Sequence, residues 1–191
     1  MSKQYGLFRD AEPLVPGLSL WLDAVTEEQE AEMAAQVDAA PLEPFRFGQW
    51  QGKRLTANYG SAYDYQRGAV TGAPAFPAWL AELRDQLAPI AGIAPSAAVQ
   101  ALLIRYDPGA GIGWHRDRPQ YGDVLGLSLS APALLRLRRR TGTGFDRHSV
   151  ELPRRSLYRL SGDVRWAWEH SIAPMDVTRR SITLRTMAGP S

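Results

Sequence analysis

At 191 residues, with 45% hydrophobic and 22% charged side chains, the chain is sized for one globular domain with a substantial core. It contains no cysteine, which excludes disulfides, thiolate zinc sites and cysteine nucleophiles. The net charge of +2 hides an asymmetry: residues 1–100 carry 7 Lys+Arg against 12 Asp+Glu, the remainder 15 against 8, and every basic residue but Lys3 and Lys53 is arginine. Such a basic half suits a polyanionic partner, and equally a set of solvated arginine faces.

The N-terminal "MSKQYGLFRDAEP" lacks an apolar h-region, and "LVPGLSLWLDAV" is short and broken by Pro16, Gly17 and Asp23. Neither a signal peptide nor a membrane span is expected, and a cytoplasmic location is the default. Thr26-Glu27-Glu28-Gln29 reads as a capping box that opens a helix running to about Ala39 and ending before Pro41. A second helix is expected over Ala75 to Ala88, with Trp79, Leu83 and Leu87 at helical spacing behind Pro74 and Pro77. The intervening "RFGQWQGKRLTANYGSAYDYQRG" predicts at most one or two short strands. From Ala98 onward the texture changes. "VQALLIRY", "VLGLSLS", "ALLRLRR", "HSVEL", "SLYRLSG" and "SITLRTM" are short strand-like runs between turns, with no long helix among them. This pattern predicts an α+β fold: an antiparallel jelly-roll-like core with the N-terminal helices packed outside one sheet.

"GWHRDRP", residues 113–119, carries the first chemical signal. In an extended segment His115 and Asp117 point to the same face, so they offer an imidazole and a carboxylate to one metal. One more histidine completes the two-His-one-carboxylate triad of non-haem Fe(II) oxygenases. His148, in "GFDRHSVEL", sits beside a turn among charged residues and reads as solvated. His170 ends the aromatic, strand-like run "WAWEHSI" and is the better third ligand. A lone His-x-Asp is weak evidence, since a histidine bonded to a nearby acid looks the same. In "RRSITLR", Arg179, Ser181, Thr183 and Arg185 share one face of a strand and Ile182 and Leu184 the other. A polar face in water is the ordinary reading. Turned inward, however, its arginines need acidic partners, and a dicarboxylate ligand supplies them through bidentate contacts.

Taken together, "LIRYDPGAGIGWHRD", "GDVRWAWEHSI" and "RRSITLR" resemble the AlkB family of Fe(II)- and 2-oxoglutarate-dependent dioxygenases, in order and over roughly Ala101 to Met187. "RLTANYGSAYDY" and "FPAWLAEL" resemble the family's substrate lid more loosely. The resemblance implies a single domain over 1–191, with helices and lid in 1–97 and a double-stranded β-helix catalytic core in 98–191. It makes His115, Asp117 and His170 the iron ligands. Arg179 and the Tyr106 hydroxyl would take the distal carboxylate of 2-oxoglutarate, Arg185 would sit near its chelating end, and Ser181 would line the same site. The cofactors implied are Fe(II), 2-oxoglutarate and O2. The reaction implied is oxidative decarboxylation of 2-oxoglutarate coupled to C–H hydroxylation, with formaldehyde released when the carbon is an N-methyl. Ile104 departs from the asparagine that many members carry there, so one cosubstrate contact is lost or replaced. Pro119 stands where some DNA-repair members place an acid.

Family members act on alkylated DNA, on RNA and on proteins. Two features favour nucleic acid. The run Arg136-Leu137-Arg138-Arg139-Arg140, with Arg154 and Arg155, offers phosphate contacts, and Trp50, Tyr59, Tyr63 and Tyr65 offer stacking for an unpaired base. No membrane association and no obligate protein partner is expected. A protein or small-molecule substrate is the alternative, as is a non-catalytic metal-binding jelly-roll module, against which the retained triad and arginines count.

Overall fold

The computed structural model describes residues 15–47, 50–64 and 69–189. In chain order it runs β1 (Leu18–Trp21), α1 (Glu27–Ala39), β2 (Glu43–Phe47), β3 (Trp50–Tyr59), β4 (Ser61–Asp64), β5 (Ala69–Gly72), α2 (Ala78–Ile90), β6 (Ala98–Tyr106), β7 (Ile112–His115), β8 (Tyr121–Leu129), β9 (Ala133–Arg140), β10 (Phe145–Leu152), β11 (Leu157–Leu160), α3 (Gly162–Trp166), β12 (Glu169–Ile172) and β13 (Arg179–Met187). The strands form a seven-stranded sheet, β1-β11-β8-β13-β6-β3-β2, a four-stranded sheet, β10-β9-β12-β7, and the hairpin β4-β5. The pairings in all three are antiparallel.

Period-two alternation decides what each face of the large sheet meets. Ala101 and Leu103 of β6, Leu125 and Leu127 of β8, and Ile182 and Leu184 of β13 pack with Met33 and Val37 of α1 and Leu80, Leu83 and Leu87 of α2. The opposite face looks toward the small sheet. There Val124, Leu160, Leu135, Leu137, Val150, Leu152 and Ile172 close a second core. α1 begins as its capping box requires: Gln29 N donates to Thr26 Oγ1 at 3.2 Å and Thr26 N donates to Gln29 Oε1 at 2.9 Å. Its buried Glu30 receives Arg154 and the Ser130 amide, tying the helix to the segments after β8 and β10.

Three expectations from sequence change. The second helix starts at Ala78, because Pro77, extended at ψ 155°, is its N-cap. The stretch between the helices holds β2 to β5 rather than one or two short strands. β3 alone runs ten residues and pairs with β6 in the large sheet. Its mixed aromatic and basic composition hides the alternation, because a cavity and not solvent lies on its polar side. The run "WAWEHSI" is a strand only from Glu169 to Ile172: its first residue, Trp166, ends the helical turn α3, which buries Val164 in the inter-sheet core.

Candidate active site

β7 and β12 are neighbours in the small sheet, and His115 pairs directly with His170, their ring centroids 4.2 Å apart. Asp117 lies two residues beyond the end of β7 and brings Oδ2 to 3.5 Å from His170 Nε2. The ligand atoms of His115, Asp117 and His170 all lie within 4.8 Å of one another, a spacing that can hold one metal ion. His115 Nδ1 sits 2.9 Å from the Gly113 carbonyl; with the proton on Nδ1, that nitrogen donates to the carbonyl and leaves Nε2 as the ligand atom. His148 occupies the same cross-strand row, but Leu137 stands between it and His170. Two strand spacings, roughly 10 Å, separate them. His148 is exposed, its ring beside Trp168.

The site's charges follow from burial. Burial is the largest single influence on the Asp117 carboxyl and by itself would raise it, but Arg185, His170, His115 and Arg165 together outweigh burial and hold the group well below the usual carboxylate range. Arg185 Nε and Nη2 both reach Asp117 Oδ1, at 2.7 and 2.6 Å, leaving Oδ2 toward His170. Burial, then the neighbouring His115, push His170 down to about 3. Burial also lowers His115, against the pull of Asp117. At neutral pH the triad is therefore one carboxylate and two neutral imidazoles, the states that coordinate a metal.

A pH dependence follows for the metal-free chain. Between pH about 6.5 and about 3 the unfolded chain binds a proton that folded His170 refuses, so this contribution to stability is full above about 6.5 and falls as pH drops. Melting measured from about pH 7.5 down to about pH 5 should fall, and His170→Asn should flatten the slope. Equal slopes in both chains would assign the acid sensitivity elsewhere.

On β13 the alternation expected for Arg179, Ser181, Thr183 and Arg185 holds, with Ile182 and Leu184 on the helix side. Arg179 is 1% exposed and sits opposite Tyr106 on β6, its guanidinium 5.5 Å from that ring's centroid. Its Nη2 donates to Ser128 Oγ at 3.1 Å, while Nε and Nη1 are buried without a hydrogen-bond partner among the described residues. A buried cation with two idle donors fits an anionic ligand, which is the chemistry a dicarboxylate offers. Ser181 is buried in register between Ser128 and Ile104.

A cavity of about 620 Å³ opens beside the triad. Leu102, Ile104 and Ile112 form apolar wall; Phe45, Trp114 and Tyr121 add aromatic surface; Arg54, Arg116 and Arg118 add positive charge. Sequence reasoning missed several of its groups. Gln100 Oε1 accepts from Arg185 at 2.8 Å, and Gln100 Nε2 donates to Asn58 at 3.0 Å. Tyr158 lies across Gly126, where an added Cβ would stand 2.2–2.4 Å from its ring and hydroxyl; burial pushes that hydroxyl up to about 12. A glycine inside an apolar strand was the available signal.

The substrate candidates fare unevenly. Tyr59 is not in the cavity. It follows Asn58 on β3, faces the other way, and packs in the helix–sheet core. Trp50 lies in β3 and Tyr63 in β4, while Tyr65 is outside the described residues. Arg138 is held by Glu169 at 2.6 Å between the rings of Trp114 and Phe145. Arg139 meets Asp146 and Asp163. Arg154 and Arg155 do not extend this surface, because they bind Glu30 and the pair Asp23 and Glu27 beside α1. Pro119 is exposed.

Comparison with known proteins agrees with this architecture. Residues 18–186 match the 2OG-Fe(II) oxygenase superfamily. Uncharacterized protein L905 of Acanthamoeba polyphaga mimivirus is 25% identical, over 98% of this chain and 91% of its own. The Xenopus tropicalis tRNA (carboxymethyluridine(34)-5-O)-methyltransferase alkbh8 is 29% identical over 93% of this chain, and the Arabidopsis thaliana Alkylated DNA repair protein ALKBH8 homolog 28% over 85%. The chain spans only 29% and 52% of those two relatives' lengths. Among solved structures, OsALKBH1 superposes with a TM-score of 0.71 at 13% identity, covering 92% of this chain and 99% of the other. A Pseudomonas putida prolyl-4-hydroxylase gives 0.61 at 19%, covering 90% and 93%. These two likenesses concern the jelly-roll fold alone. No helix among the described residues is long and apolar enough to cross a membrane. With residues 18–186 matching the family and a two-histidine, one-carboxylate cluster beside an open cavity, the chain belongs to the 2OG-Fe(II) oxygenase superfamily, as an AlkB-like, 2-oxoglutarate-dependent dioxygenase whose cofactors are Fe(II), 2-oxoglutarate and O2.

Proposed function

We propose that this enzyme oxidises alkyl groups on nucleic-acid bases. His115, Asp117 and His170 hold the iron, Arg179 and Tyr106 take the distal carboxylate of 2-oxoglutarate, and Arg185 orients Asp117. When bound, iron and 2-oxoglutarate supply oxidative decarboxylation coupled to hydroxylation of a C–H bond; hydroxylation of an N-methyl group ends in loss of formaldehyde. The strands β2 to β5 act as the substrate lid, contributing Phe45, Arg54 and Asn58 to the cavity.

The observation that carries the substrate class is the cavity lining. A volume of about 620 Å³ next to the triad, with Phe45, Trp114 and Tyr121 among arginines 54, 116 and 118, pairs flat aromatic surface with cationic groups. Bases stack on such rings and phosphates are neutralised by such arginines. The printed names of the Xenopus and Arabidopsis relatives, one concerned with tRNA and the other with alkylated DNA, lean the same way. Mass spectrometry of methylated oligonucleotides and tRNA after incubation with Fe(II), ascorbate and 2-oxoglutarate tests the reading, with formaldehyde as co-product.

Affinity for single-stranded oligonucleotides should fall as salt rises, because phosphate contacts release counterions. Arg54→Gln and Arg118→Gln should each weaken binding across sequences and reduce the log–log salt slope by about one. Salt-insensitive binding, or none, would move the substrate to a protein or a small molecule.

A further inference from the structure

Of the three side chains in the cluster, two are placed by strand pairing. His115 and His170 face each other across the β7–β12 ladder. Asp117 has no such support, since residues 116–118 follow the strand and belong to no helix or sheet. Arg185 takes one carboxylate oxygen but does not fix the backbone that carries it. Something else must set where this loop stands relative to His170.

Resting on the reading of the cluster as a metal centre, we propose that Arg165, assisted by Arg116, is a positioning residue that fixes the Asp117 loop to the segment leading into His170. Arg165 sits on α3, four residues before β12 begins at Glu169. It is 3% exposed, and its guanidinium gathers three backbone carbonyls from the far side of the Asp117 loop. Nε donates to Gly122 O at 2.7 Å, and Nη2 donates to Arg118 O at 2.7 Å and to Tyr121 O at 2.5 Å. The loop answers in the other direction: Arg116, between the two ligands of the His-x-Asp pair, donates from Nη1 to Trp166 O at 3.3 Å. The Trp166 ring stacks on the Arg165 guanidinium, its centroid 4.2 Å away.

The bracket has a fixed base. Val164 is buried in the inter-sheet core, and its amide donates to Pro16 O at 3.2 Å. Asp163 accepts from Trp168 Nε1 at 3.0 Å and from Arg139 at 3.2 Å. α3 is therefore anchored on several sides, and Arg165 passes that placement to the loop. Only arginine suits the task, because its planar fork spreads rigid N–H donors over diverging carbonyls, whereas a lysine ammonium is a single point. A buried cation held wholly by carbonyls also costs desolvation, and a purely apolar contact would stabilise the fold as well.

Metal titration decides the matter, with Co(II) as probe under anaerobic conditions and the full chain. Arg165→Gln should weaken Co(II) binding about 10–100-fold, as loss of ligand-orienting partners does, and change the d–d absorption of the bound ion. Arg165→Lys should fall between, and Arg116→Gln, losing one longer bond, should show the smaller loss. Circular dichroism and melting of the metal-free chains report folding separately. If Arg165→Gln does not fold, Arg165→Lys and Arg116→Gln carry the test. A folded Arg165→Lys with unchanged Co(II) affinity and spectrum would overturn the proposal, even if its melting temperature fell, because the bonds would then be merely structural. An unsubstituted chain that binds no Co(II) would overturn the metal-centre reading itself, and this inference with it.

Discussion

Alanine or asparagine at His115, Asp117 or His170 should abolish succinate formation from 2-oxoglutarate, while His148→Ala should leave it near normal. Each of the three supplies one ligand atom to a cluster only 4.8 Å across, so each loss leaves a two-ligand site. His148 stands behind Leu137 at the edge of the sheet and cannot reach that cluster without breaking the β9–β10 ladder. Asp117 needs a conservative variant. Removing its side chain strands the Arg185 guanidinium, 12% exposed, at a cost of about 3–5 kcal/mol to folding. Asp117→Asn keeps the shape and separates lost metal binding from lost fold. Equal loss of activity in His148→Ala would defeat this ligand assignment.

Arg179→Met should raise the 2-oxoglutarate concentration needed for half-maximal turnover on the order of 10²-fold, yet melt no lower than the unsubstituted chain when ligand is absent. The two effects have one cause. Burial lowers the Arg179 pKa, and Ser128 Oγ is the one hydrogen-bond acceptor found for its guanidinium among the described residues. Keeping such a cation without an anion costs free energy, so an apolar residue of similar length relieves the empty site. With 2-oxoglutarate present the balance reverses. Truncating one partner of a buried charge pair costs about 2–5 kcal/mol, and saturating ligand at 100 times its Kd stabilises the unsubstituted chain by about 2.7 kcal/mol. A thermal shift on adding 2-oxoglutarate should therefore appear in the unsubstituted chain and vanish in Arg179→Met. An unchanged shift would show that the carboxylate is recognised elsewhere.

How much of this was legible beforehand depends on the range of the interaction. The capping box at Thr26, the strand runs from Ala98 and the alternation of Arg179 to Arg185 are set by neighbours within a few residues, so the sequence determined them by itself. The same holds for which three ligand types were available, because with three histidines and no cysteine the choices were few. What the tertiary structure decided is which faces meet. Tyr59 and Asn58 are adjacent and equally plausible as cavity groups, but pairing of β3 with β6 turns Asn58 inward and sends Tyr59 under the helices. The arginines of β9 read as one basic surface until Glu169, Asp146 and Asp163 arrive from three other segments. Tyr158 became a cavity residue because Gly126 on the neighbouring strand leaves room for its ring. "WAWEHSI" reads as one strand-like run, yet Trp166 belongs to the end of α3, a turn set where Val164 fills the core and Arg165 reaches the Asp117 loop. In each case the deciding contact joins residues far apart in the chain, whose spacing is created by strand pairing and sheet packing, and no local pattern encodes it.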